Sequence, residues 1–120
     1  METHSPTLLL IEDEPDIRDS LREILESEGY AVHTAANGAE GLRALEAMPA
    51  PSLILLDLLM PVMNGTEFLA EQQRRPSLSA IPVVVLSADS NLRTGNRVHS
   101  HVRKPIDLTE LLLLVKEASA

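Results

Sequence analysis

Asp57 ends an uninterrupted apolar run, Leu53-Ile54-Leu55-Leu56, and Glu12 and Asp13 end another, Leu8-Leu9-Leu10-Ile11. Two further β-like stretches end at Ser87-Ala88 and at Lys104. Runs this apolar predict buried parallel strands, and open α/β sheets bind ligands at the carboxyl ends of such strands. Three acids and a lysine at strand tips suit a divalent cation and a phosphoryl group. Crowded carboxylates repel unless a cation compensates them. An all-oxygen set favours a hard ion, Mg2+ before Zn2+. Each residue also has a plainer role. Glu12 and Asp13 can cap a helix that starts near Pro15, Ser87 can serve a turn, and Lys104 can be a solvated surface cation.

The elements that must position these residues alternate along the chain. Strands are predicted at 7–12, 30–34, 52–57 and 81–86, with a fifth near Ser100 to Arg103. Helical spacing of Ile17, Leu21, Ile24 and Leu25 follows Pro15 and stops at Gly29. A second helix covers 38–47, with Leu42 and Leu45 inward, and a third about 66–75. The last runs from an Asp107 cap to about Ala118, with Leu108, Leu111, Leu112 and Val115 as its inward stripe. The remaining Leu113 and Leu114 suggest ordinary surface or a contact patch. Five β-α repeats imply an α/β, doubly wound, flavodoxin-like parallel sheet in the order 2-1-3-4-5, with helices on both faces. That order sets strands one and three side by side, and so Glu12 and Asp13 beside Asp57.

Composition removes several function classes. The 120 residues suffice for one domain with an ordered core of about 7–118, and with one Tyr and one Phe that core must be aliphatic. Eighteen acids against ten Lys and Arg give a net charge of −8, which argues against nucleic acid and anionic membrane as partners. The absence of Cys excludes thiolate metal sites and cysteine nucleophiles. No apolar run reaches the length of a membrane span, and residues 1–6 lack secretory-signal character, so a cytoplasmic location is expected.

The set Glu12-Asp13-Glu14-Pro15, Asp57 with Met60-Pro61 and Asn64-Gly65, Ser87-Ala88, and Lys104-Pro105 resembles the receiver domain (CheY-like) of two-component response regulators, over essentially the whole chain. The resemblance implies a single receiver domain that takes a phosphoryl group onto Asp57 from a sensor histidine kinase or phosphotransfer protein. Asp13, Asp57 and the backbone carbonyl of Leu59 would ligate Mg2+, with Glu12 acting through metal-bound water. Lys104, Ser87 and Ala88 would meet the phosphoryl group, with Ser87 moving on its arrival. Such a domain is no enzyme beyond promoting its own phosphorylation and dephosphorylation. It would signal to a downstream protein target, with room for a homodimer. The alternative is a receiver-fold binding module that works without phosphorylation. A phosphohydrolase of similar fold would need a second Asp two positions after the nucleophile, where this chain has Leu59.

Two features depart from the family pattern. Seventeen positions separate Ser87 from Lys104, several fewer than usual, and Asn91, Thr94, Gly95 and Asn96 are poor helix formers. The fourth helix of the fold is therefore expected to be shortened or absent. The position three before Lys104, usually an aromatic ring that turns inward on activation, is His101. His99 and His101 would share a strand face as exposed histidines, as an incomplete metal site, or as a pH-sensitive switch.

Overall fold

Strands built only of Leu, Ile and Val must be covered on both faces, and the two most apolar runs accordingly occupy the middle of a sheet. A computed structural model describes residues 6–57, 65–87, 100–103 and 106–119. In it, β1 (Thr7–Ile11) and β3 (Leu53–Asp57) pair in parallel, with Leu8 opposite Leu53 and Ile11 opposite Leu56. On the outer side of β1 lies β2 (Ala31–Ala35), and on the outer side of β3 lies β4 (Val83–Ser87). The parallel sense and the order 2-1-3-4 agree with the sequence reading. The short β5 (Ser100–Arg103) runs parallel to β4, from Val84 opposite Ser100 to Ser87 opposite Arg103. The shortened or absent helix expected between β4 and β5 lies outside the described residues.

Alternation along the strands divides the core into two layers. Leu9, Ile11, Ile54, Leu56, Val83 and Val85 point to one face, under α2 (Gly38–Ala47) and α3 (Gly65–Gln73). Leu8, Leu10, Leu53, Leu55, Val84 and Leu86 point to the other, under α1 (Pro15–Ser27) and α4 (Leu108–Ala118). Among the described residues no helix is long and apolar enough to cross a membrane.

Local chemistry sets the boundaries. α1 starts with a proline in its first turn and ends in a Schellman motif. There Gly29 takes φ 97°, its N–H donates to the Glu26 carbonyl (3.0 Å), and the Tyr30 N–H donates to the Leu25 carbonyl (3.2 Å). Tyr30 thus belongs to the turn, and β2 begins one residue later than expected. The Ile81 N–H is likewise taken by the Leu78 carbonyl (3.1 Å), so β4 begins at Val83 rather than at Ile81. The buried Gln72 side chain braces that turn, its Nε2 donating to the carbonyls of Leu78 (2.9 Å) and Ile81 (3.1 Å). Asn37 and Asp107 cap α2 and α4 by accepting the Glu40 and Glu110 N–H groups.

The inward stripe of α4 differs from the expected one. Leu111 and Val115 are buried, Leu112 and Leu114 pack partly at their sides, and Leu108 is 42% exposed. Periodicity reports the angle of a side chain around a helix, not whether core lies beneath that turn. It therefore misplaced Leu108 at the first turn and Leu114 at the stripe's edge.

Candidate functional site

Because Ile11 and Leu56 are partners in the central pair, the chain leaves β1 at Glu12 beside the last residue of β3, Asp57. Both carboxylates sit in the fold rather than on it: Glu12 is 0% and Asp57 4% exposed. Asp13 follows in the turn and is half-buried. Carboxylate oxygens of Glu12, Asp13 and Asp57 lie within 4.8 Å of one another. The expected convergence of β1 and β3 on one acidic cluster is thus present in the structure.

The turn carrying Glu12 is held from three directions. Its N–H donates to the Ala35 carbonyl at the end of β2 (3.0 Å). Its carbonyl accepts from Arg18 Nη1 (2.9 Å), and its Oε2 accepts the Glu14 N–H (3.3 Å). The N-cap of α1 is Glu14, with no side-chain hydrogen bond to the helix. The N-cap position itself thus falls to Glu14 rather than to Glu12 or Asp13, and Glu12 meets the helix start through the N–H of that residue. The role of Arg18 was missed from the sequence. A cation in the first turns of a helix opposes the macrodipole, and that oddity was the available signal.

The donor set fits a hard cation. Three carboxylates this close repel one another, two of them shielded from water, and a divalent ion would relieve that repulsion. Every donor is oxygen, with no imidazole or thiolate in the cluster.

The other predicted residues fall into two groups. Asp57 is in register with Leu86 of β4, so Ser87 ends its strand one step beyond Asp57, and Arg103 of β5 stands opposite Ser87. His101 is in register with Val85. The strand ends that carry Glu12, Asp57, Ser87 and Arg103 therefore share one edge of the sheet. Leu59, Ala88, His99 and Lys104 lie outside the described residues, so their expected roles rest on the sequence alone.

Comparison with known proteins adds to this geometry. A profile of the family described as "Response regulator receiver domain" matches residues 8–116. An uncharacterized 14.6 kDa protein of Leptolyngbya boryana is 35% identical over 117 residues, spanning 92% of this chain and 87% of that one. The sensor histidine kinase TmoS of Ectopseudomonas mendocina is 34% identical over 115 residues, spanning 92% of this chain but only 12% of its own. The chain therefore corresponds to a small part of that larger relative. Among solved structures, the response regulator protein TrrA of Thermotoga maritima, in complex with Mg(2+)-BeF, is 31% identical. Its TM-score is 0.83, with 94% of this chain and 98% of that one covered.

Proposed function

The chain belongs to the response regulator receiver domain family, and from that premise we propose that it is a single phosphoacceptor domain whose acceptor is Asp57. The observation that carries this reading is the cluster of Glu12, Asp13 and Asp57, with oxygens within 4.8 Å of one another at the ends of the two central strands. Receiver domains are signalling modules, and the sensor kinases and regulators among the relatives support a kinase or phosphotransfer protein as phosphoryl donor.

In the proposed reaction an Asp57 carboxylate oxygen attacks phosphorus in line with the bond to a donor histidine. The new P–O bond forms as the P–N bond breaks, and the imidazole nitrogen keeps the electron pair and takes up a proton. Burial fixes the Asp57 carboxylate against the sheet edge, so little orientational freedom is lost on attack. Asp13 and Asp57, with the Leu59 carbonyl, are the residues that would hold Mg2+, and Glu12 would orient water around it. When bound, the ion neutralises negative charge on the equatorial phosphoryl oxygens. Lys104 is proposed to supply a second cation to the same oxygens, and Ser87 a hydroxyl that follows them. Water later attacks phosphorus, and the P–O bond to Asp57 breaks to release phosphate. The added charge and acceptor oxygens bias the Ser87 end of the sheet between two arrangements, which a downstream protein target reads. Whether His101 takes part in that switch is tested by comparing target binding in a His101→Ala variant.

Incubation with acetyl phosphate and Mg2+, read by intact mass, tests the reading. The wild type gains one phosphoryl group, and Asp57→Asn or removal of Mg2+ with a chelator prevents the gain. An unmodified wild type would instead favour a binding module that works without phosphorylation.

A further inference from the structure

We propose that Arg18 is a positioning residue for the acidic cluster: its guanidinium holds the turn that presents Glu12 and Asp13 to the cation. The buried residues of α1 are Leu21 and Leu25, which pack on Leu8 and Leu10 of β1. Arg18 lies three residues before Leu21 and so continues their stripe toward the start of the helix. α1 packs back along β1, so its first turns stand beside the carboxyl end of that strand. There the stripe changes from leucine to arginine. The Arg18 side chain is half-buried, and its Nη1 donates to the Glu12 carbonyl at 2.9 Å.

Two plainer roles do not account for this placement. A surface arginine on an acid-rich helix pairs with a carboxylate one turn away, and Glu14 stands four residues before Arg18. Yet the ion pairs among the described residues join Arg22 to Glu26, Arg74 to Glu71, and Arg75 to Glu46 and Glu71, and leave Arg18 out. Support of the helix itself fails too, because a cation at the fourth helical position opposes the macrodipole. What Arg18 makes instead is a charge-assisted bond to a backbone oxygen. That oxygen belongs to the peptide plane joining Glu12 to Asp13, so holding it fixes the direction in which Asp13 leaves the strand. The other two bonds of the turn hold the Glu12 N–H and its Oε2, and neither fastens this plane. Carboxylates converging within 4.8 Å repel one another, and a tether here resists the opening that would part them. The inference deepens the receiver reading and rests on it only for the use made of the cation.

The sign of one change separates positioning from charge. A fixed cation beside a cation site weakens binding, so on charge alone Arg18→Met would bind Mg2+ more tightly. The proposal expects the reverse. In titration calorimetry of the full chain with Mg2+, Arg18→Met raises the dissociation constant by about fivefold or more. Arg18→Lys keeps a charged donor and stays within about twofold of the wild type. In the metal-free Arg18→Met chain the Glu12 N–H exchanges with solvent about fivefold faster, while amides of β1 and β3 keep their wild-type rates. With acetyl phosphate the methionine variant needs more Mg2+ for its half-maximal labelling rate but reaches the wild-type maximum, since Asp57 is untouched. Affinity for Mg2+ that is unchanged or raised in Arg18→Met overturns the proposal. So does a lysine variant as weak as the methionine one, or exchange that quickens equally in turn and strands. A wild type that takes no phosphoryl group defeats the receiver reading alone, because calorimetry and exchange still judge Arg18.

Discussion

Asp13 differs from its two neighbours in one physical respect: it is half-buried, whereas Glu12 and Asp57 are shielded from water. It can therefore change its chemistry without leaving a hole in the core, which makes it the cleanest probe of the acidic cluster. Asp13→Asn removes one of three charges facing the proposed cation and keeps the side chain's shape. Mg2+ affinity, followed by titration calorimetry, should fall at least tenfold, while stability without metal changes by less than about 1 kcal/mol. An unchanged affinity would remove Asp13 from the ligand set. The acids were legible in the sequence because each ends an apolar run, and burial of a run fixes where its last side chain emerges. Arg18 was not, because its bond to the Glu12 carbonyl depends on the path of the turn rather than on a spacing.

At the scale of elements, the site depends on how closely α2 approaches the end of β1. Gly41 makes that approach possible: a Cβ there would stand 2.5 Å from Ile11 Cδ1 and 3.2 Å from Phe68 Cε1. Ile11 directly precedes Glu12, so pressure at this contact reaches the acidic turn. Gly41→Ala gains about 0.5–1 kcal/mol of helix propensity and costs about 1–3 kcal/mol in overpacking. A net loss of about 1 kcal/mol is expected in urea denaturation. Ile11→Val removes the Cδ1 methyl that the new Cβ meets, so the double variant should be more stable than the sum of the two single effects predicts. Additive losses would contradict this packing account. Helix and strand identities were legible from periodicity and from terminal signals such as Pro15, Gly29 and Asp107. Starts and stripes were less so. β4 begins late because a turn bond claims Ile81, and Leu108 is exposed because angular spacing does not report what lies beneath a helix's first turn. Between Ser87 and Ser100 the sequence offers little beyond a length and a composition, so the expectation of a reduced helix there stands on those alone.

For the molecule as a whole, β1 and β3 are both the centre of the sheet and the source of the acids. A cation held there braces the most protected part of the fold, and its binding energy should appear in global unfolding rather than in local fraying. Mg2+ at about a hundred times its dissociation constant should stabilise the chain by roughly 2.7 kcal/mol. The thermal midpoint then rises by several degrees, and Asp13→Asn abolishes the rise at the same Mg2+ concentration. Equal shifts in both proteins would mean that the ion acts elsewhere. The account as a whole turns on which carboxylate carries the phosphoryl group. Borohydride reduction after treatment with acetyl phosphate and Mg2+ converts an aspartyl phosphate to homoserine, which peptide mass spectrometry locates. The account predicts homoserine at position 57 and nowhere else; the reduced residue at position 12 or 13, or at no position, would contradict it.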